Sequence, residues 1–306
     1  MSFDLTNLSQ YIELNSKSIS SKAVGNAQTA KLLLDSGNVQ FTKGTAPILK
    51  LDSNTVIQDA SGCAGRTPSG TTILSNAMLT TKPLKSVENI CTKTLYNTYY
   101  AWALKAGQDP ETEGWDAAFA QYIMDSRIQA ISEANEALLW NGDTSLTGQL
   151  SFFNGILKQV TTGTYTNIDS TATSVLSQLQ EANSKTPIKI RKQSDFRIFI
   201  SEVLYDMYLM ELANKNIFKP TDDFKLFGTT TTLVPVSGLN SSPYKIVAIR
   251  LSNLQLGMDL ESDVTKSSLK YSIETEQHYA DVHYSLGVSV VYPIASEVGY
   301  ADLSPA

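Results

Sequence analysis

The chain has 306 residues, 42% of them apolar and 18% charged, with a net charge of −6. That length holds one large domain or two modest ones, and no basic run longer than Arg191-Lys192 is present to neutralise phosphates, which excludes an ordinary nucleic-acid reader. With so little charge, much of the polar surface must be Ser, Thr, Asn and Gln, which costs less to desolvate against a partner than charge does.

The start, MSFDLTNLSQ, has neither a basic n-region nor an apolar h-region, so no secretory signal is expected. No apolar run reaches the roughly 18 residues that suggest a membrane span. Residues 1–37 carry scattered apolar positions and no sustained stripe before Ala27–Leu34, which predicts an N-terminal arm that docks elsewhere. Residues 38–82 predict a long hairpin. Phe41, Ile48, Leu49, Leu51, Val56 and Ile57 suggest one strand pair within it, and Ile73, Leu74, Met78 and Leu79 another. The intervening 59–72 are rich in Gly, Ser and Thr and read as a turn or tip. Such an excursion is either a lid over a site or a piece that lies on a neighbouring subunit. The second fits better, because no chemistry is visible for a lid to cover.

Residues 83–106 show helical spacing at Leu84, Val87, Cys91, Leu95, Thr98 and Trp102, with Gly107 as the stop. Asp109-Pro110-Glu111 reads as a helix start. The long helix of Trp115–Trp140 follows, with Phe119, Tyr122, Ile123, Ala130, Ile131, Ala134 and Leu138 as its apolar stripe and Arg127, Glu133 and Glu136 off it. Its length would be ~39 Å, and Gly142 is expected to end it in the left-handed conformation. A helix at 173–184, a buried strand FRIFI at 196–200, a helix at 204–212 ending near Asn214–Asn216, and strands at 232–236 and 244–249 make a mixed α+β unit. Residues 268–293 alternate as strands, with Gly287 expected to turn or bulge between runs.

The chemistry expected of common enzymes is missing. There is no GxxxxGK[ST], GxGxxG after a strand, HExxH, GxSxG or CxxC. Cys63 and Cys91 are too few for a disulfide scaffold and read as reduced thiols of a cytoplasmic product. His278 and His283, with Glu274, Glu276 and Asp281 nearby, could suggest a metal-dependent enzyme. Five-residue strand spacing sets the two histidines on opposite faces, so ordinary strand histidines are the simpler reading. Asp259, Glu261 and Asp263 alternate, but they lack the rest of a hard-cation ligand set and read as a solvated or inter-subunit acidic face. Lys185, Lys189, Arg191 and Lys192 lack a Gly-rich loop and read as a solvated connection. No catalytic, cofactor-binding or metal residue is assigned.

The order of elements resembles the tailed-bacteriophage major capsid family, whose HK97-like fold is shared with herpesvirus capsids and encapsulins. Arm and hairpin precede a spine helix that ends at EANEALLWNGD (133–143). Phe153-Asn-Gly-Ile-Leu157 is similar to the family's re-entry, IRLSNLQLGMD (249–259) to its N-L-x-x-G-x-D strand, and GVSVVYP (287–293) to its closing strand. The resemblance implies an α+β fold with an N-terminal arm at 1–37 and an extended loop at 38–82. It also implies a peripheral domain with the spine helix at 83–159 and 256–306, and an axial domain at 160–255. It implies a structural protein without an active site or cofactor. That protein would assemble into hexamers and pentamers of an icosahedral head around double-stranded DNA, without sequence-specific binding. The implied partners are other copies of itself, a separate scaffolding protein, a portal, and decoration or head-completion proteins. Met1 favours separate scaffolding over a removed prosegment. The implied location is the virion, assembled in the host cytoplasm and without a membrane. An encapsulin-like compartment around a cargo protein is the alternative. Some relatives join a loop lysine to a neighbour's asparagine; Lys43 and Lys50 lie in the matching region, with no partner assigned.

The histidines are expected to be dispensable. Replacing His278 and His283 with Gln should leave self-assembly unchanged by sedimentation, whereas loss of a stoichiometric metal from the double variant would contradict this reading.

Overall fold

A computed structural model describes residues 21–59, 69–90, 117–217, 224–259, 268–272 and 277–303, with single positions at Asn15, Ile19, Ala101 and Glu274. In chain order the elements are α1 (Gln28–Asp35), β1 (Val39–Phe41), β2 (Thr45–Asn54), β3 (Thr71–Thr80), β4 (Lys82–Ile90), α2 (Ala117–Asn141), α3 (Ile156–Thr162) and β5 (Thr166–Asn167). Then come α4 (Val175–Lys185), α5 (Ile188–Arg191), β6 (Phe196–Ser201), α6 (Glu202–Asn214), β7 (Thr232–Val236), β8 (Lys245–Arg250), β9 (Leu254–Met258), β10 (Ser268–Ser272), β11 (Gln277–Val290) and β12 (Val298–Asp302). The architecture is mixed α+β. One sheet runs β1–β9–β11–β10 with β4 also paired to β11; a second runs β5–β12–β8–β6–β7; β2 and β3 pair alone as a hairpin.

The second sheet is buried on both faces, and its sequence shows why. Ile198 and Ile200 of β6, with Ile246 and Ala248 of β8, face a core shared with Leu179 of α4 and Leu204 and Tyr208 of α6. The alternate residues Phe199, Val247 and Ile249 belong to the other core, which is built around α2 and the first sheet. Apolar residues at both phases of a period-2 strand are what a two-sided burial requires. The exit of α6 was legible, with Asn216, at φ 52°, in the left-handed position beyond the end; its start lies two residues earlier than expected, where Ser201 Oγ caps it by accepting from Leu204 N.

α2 spans 25 residues, ~37 Å, and its buried face differs from the expected one. Met124, Arg127, Ile128, Ile131, Ser132, Asn135, Glu136 and Leu139 point inward, while Tyr122, Ala130 and Ala134 of the expected stripe are exposed. The inward face carries four polar residues because each has a specific partner. Arg127 Nη2 donates to Ser86 O (2.9 Å) and Ala280 O (2.5 Å). Ser132 Oγ and Asn135 Nδ2 donate to Ala23 O, and Tyr284 Oη donates to Asn135 Oδ1 at 2.8 Å. Glu136 accepts from Thr29 N (2.9 Å), Thr29 Oγ1 (2.5 Å) and Trp140 Nε1 (3.0 Å). A hydropathy stripe counts these residues as solvent-facing; hydrogen bonding makes their burial affordable.

Those contacts correct a second expectation. Ile19, Ala23, Val24, Ala27, Ala30 and Leu33 are buried in the main core, so the later part of 1–37 packs on its own body rather than elsewhere. A third correction concerns residues 83–106. Lys82–Ile90 form a strand, not a helix, and pair with β11 from Leu286↔Lys82 to His278↔Ile90. The spacing of Leu84 and Val87 suits a helix, but a nine-residue ladder against β11 satisfies the backbone and overrides so weak a local preference. Residues 91–100 and 102–116, with Cys91, Trp102 and the Asp109 start, lie outside the described residues. Two glycine expectations also change. Gly142 is not among the positive-φ residues. A Cβ there would strike the backbone of Phe153 and Leu138, so its role is close packing of the returning chain. Gly287 lies inside continuous β11 opposite Gly257, where a Cβ would strike Thr80 O.

The Glu136 carboxyl sits among hydrogen-bond donors, and burial pushes its pKa above the usual carboxylate range. The folded state therefore holds its proton at pH values where the unfolded chain has lost it. The resulting stability is complete below the ordinary carboxylate pKa and is lost as pH rises through the raised folded value. Glu136→Gln should flatten that part of the stability–pH curve in denaturant melts at pH 4 to 8. Thr29→Val, which removes a donor to the carboxylate, should cost about 1–3 kcal/mol. An unchanged curve in Glu136→Gln would contradict the assignment.

Candidate interaction surface

Position in the ladder sorts the β2–β3 hairpin into two faces, because directly opposed residues share a face. Thr45–Thr80, Pro47–Met78, Leu49–Asn76, Leu51–Leu74 and Ser53–Thr72 are opposed pairs on one face. Every one of these ten residues is exposed. Leu49 is 71% and Leu74 66% exposed, and Ile57, beyond the strand, is 95% exposed. The opposite face begins with buried Ala46 and Leu79 and ends with the exposed pairs Asp52–Ile73 and Asn54–Thr71. An isolated two-stranded ribbon is marginal in water, and this one holds an exposed apolar face.

The base of the hairpin is fixed to the body. Thr81 N donates to Gly44 O at 2.7 Å, and Gly44 N donates to Thr81 Oγ1 at 2.9 Å. Ser289 Oγ donates to Met78 O at 3.3 Å. Lys50 Nζ lies 4.9 Å from the centre of the Tyr292 ring, a cation–π contact. Outward of Lys50, residues 51–54 and 71–74 are all exposed. The hairpin is thus aimed by its base and uncovered along its length. Two expected strand pairs in 38–82 reduce to this one, because β1 instead pairs parallel with β9. The Gly-rich tip at 60–68, including Cys63, lies outside the described residues.

A second feature lies between β4 and α2. An open groove of about 690 Å³ is walled by Val87, Tyr122, Ala130, Ala134, Leu150 and Phe152, with Arg127 in its lining. The exposed half of the expected helical stripe therefore faces this groove.

The residues weighed for chemistry do not converge. His278 and His283 both lie on β11, and His283 is half-buried. Among the described residues no three His, Cys, Asp or Glu form a group able to hold a metal ion. Asp259 is buried with Oδ1 lacking a hydrogen bond, while Glu261, Asp263 and Glu276 lie outside the described residues. Three members of the basic cluster have partners within the chain. Lys185 pairs with Glu181 at 2.9 Å, and Arg191 Nη1 donates to Asn183 O and Ser184 O near the end of α4. Lys189 reaches Glu297 at 4.0 Å. Lys43 is exposed and Lys50 is held on Tyr292. Among the described residues, no helix is long and apolar enough to cross a membrane.

No family model and no curated protein sequence matches the chain. Solved structures do match. A chain from the satellite phage P4 procapsid including the size determination (Sid) protein aligns with a TM-score of 0.57 and 11% identity, over 90% of this chain and 90% of that one. A chain of the cyanophage A-1(L) capsid aligns with a TM-score of 0.54 and 11% identity, over 92% and 94%. A chain from the capsid of an empty GTA particle aligns with a TM-score of 0.55 and 10% identity, over 87% of each. The likeness runs through nearly the whole of both chains in each case, and it gives this protein the fold found in phage capsids.

Proposed function

We infer that the chain is the major capsid subunit of a phage head, self-assembling into hexamers and pentamers of an icosahedral shell around double-stranded DNA. The observation that carries this is the hairpin. On a fold found in phage capsids, ten-residue strands leave an apolar face uncovered and aimed away from the body. A second subunit is the natural cover, since many modest contacts between identical copies close a shell that no single contact could hold. In this reading residues 1–37 supply the N-terminal arm and 38–82 the extended loop. Residues 83–159 and 256–306 form the peripheral domain with α2 as its spine, and 160–255 form the axial domain. The net charge of −6 suits a wall that contains DNA without adhering to it. The role is structural, with no reaction assigned. A separate scaffolding protein, a portal and decoration or head-completion proteins are the further partners of such a head, located in the virion after assembly in the host cytoplasm.

Electron microscopy of purified chain should show closed, regular particles, whose contents (DNA or a specific enzyme) separate a phage head from an encapsulin-like compartment. Replacing 47–77 with a short Gly-Ser link should keep the helix signal and a cooperative melt, because loop closure depends weakly on length, while closed particles disappear. A finer variant keeps the hairpin. Leu51→Lys with Leu74→Asp replaces an opposed apolar pair by an opposed ion pair. It should shift stability by no more than about 0.5 kcal/mol and strongly reduce assembly by sedimentation. Normal particles from either variant would contradict the assignment of the hairpin.

A further inference from the structure

α1 is held by two carboxylates on different parts of the body. Its N-cap residue, Ala27, supplies no side-chain cap, and no acidic residue lies in its first turn. The cap comes instead from α2. Glu136 Oε2 accepts from Thr29 N at 2.9 Å, in the place of an ordinary N-cap acceptor. The preceding residue reaches the other way. Gln28 Nε2 donates to Glu202 Oε1 of α6 at 2.9 Å, and Ser237 N donates to Gln28 Oε1 at 2.7 Å. Ahead of α1, Ser132 Oγ and Asn135 Nδ2 of α2 donate to Ala23 O. Residues 23–33 are thus a clamp laid across α2 and the start of α6.

The charged groups around Glu136 are Lys22 ahead of α1, Asp125 and Glu133 on its own helix, and Glu202 on α6, which line with it an open groove of about 630 Å³. Ser237–Leu239, packed on α2, brings no charge. A neutral carboxyl fits the contacts of Glu136: Oε2 accepts from Thr29 N, and a proton on Oε1 can take the 2.5 Å contact with Thr29 Oγ1. An ionised one is a charge taken out of water. Burial opposes it first, and the like charge of Glu202 adds to that, against the hydrogen bonds of Thr29 and Trp140. The dipole of an eight-residue helix offsets only part of the cost. We propose that α1 is a pH-operated clamp: it is seated on α2 while Glu136 holds its proton, and loss of that proton loosens α1 and the chain just before it from the body. Opening hydrates the carboxylate and separates Gln28 from Glu202 and Ser237, so the bridge from α2 to α6 opens with it. Ala23, Val24, Ala27, Ala30 and Leu33 then leave the main core. The clamp is tightest below the ordinary carboxylate range, and its opening constant rises by up to about tenfold per pH unit until the pH passes the raised folded value.

Hydrogen–deuterium exchange on the full chain tests this, with each rate divided by that of an unstructured peptide at the same pH. Between pH 5 and pH 8 the protection of amides 31–36 should fall by about tenfold or more beyond any change in β6 and β8. Glu136→Gln puts an amide where the neutral carboxyl sits, so its α1 should stay protected at both pH values. Glu202→Gln leaves Glu136 in place and removes the like charge, so the fall should shrink by about twofold or more. Protection of α1 that does not depend on pH in the parent, a fall shared equally by β6 and β8, or an undiminished fall in Glu136→Gln overturns the clamp. Where Glu136→Gln does not fold, an undiminished fall in Glu202→Gln overturns it instead.

Discussion

The body of this protein depends on how the end of α2 is held. Trp140 is fully buried, with its ring 5.1 Å from that of Phe199. Its Nε1 donates to Thr29 Oγ1 at 2.8 Å and to Glu136. Gly238 lies against the indole so closely that a Cβ would collide with it, and Asn141 Nδ2 donates to Gly238 O at 2.5 Å. One turn of helix thereby fixes the N-terminal helix, the second sheet and the chain returning through Gly155, whose N–H donates to Gly142 O at 2.8 Å. A buried polar network of this kind stabilises only when every member is satisfied. It therefore selects one placement of the two sheets around α2.

That placement accounts for what the body leaves out. The core closes without the outer hairpin, whose apolar face has no place inside it. The groove beside α2 stays open because the helix turns its polar, partnered face inward and leaves Tyr122, Ala130 and Ala134 outside. Hairpin and groove are two exposed surfaces on one chain. A subunit built this way completes its burial only in contact with others, and low surface charge reduces the desolvation cost of doing so.

Much of this was legible in the sequence where a single local rule decides. The buried strand FRIFI, the exit of α6, the long helix and the existence of an extended hairpin all follow from periodicity and turn chemistry. The errors share a physical cause, which is long-range pairing. Arg127 and Glu136 read as solvent-facing because their partners, Ala280 and Thr29, are distant in sequence. β4 read as a helix because its ladder partner β11 lies nearly two hundred residues away. The conformation expected at Gly142 failed because the backbone returning at Phe153, not a left-handed turn, excludes a side chain there. The groove was invisible for the same reason: its walls come from separate elements, and its cation was counted as surface.

The central claim is that the fold is complete in the body and incomplete along the hairpin. Hydrogen–deuterium exchange on free subunits and on assembled material tests it most directly. The account predicts that amides of 45–54 and 71–80 exchange fast in the free subunit and become strongly protected on assembly, while those of α1 and of α2 around Glu136 and Trp140 are protected equally in both. Strong protection of the hairpin in the free subunit, or none gained on assembly, would contradict it.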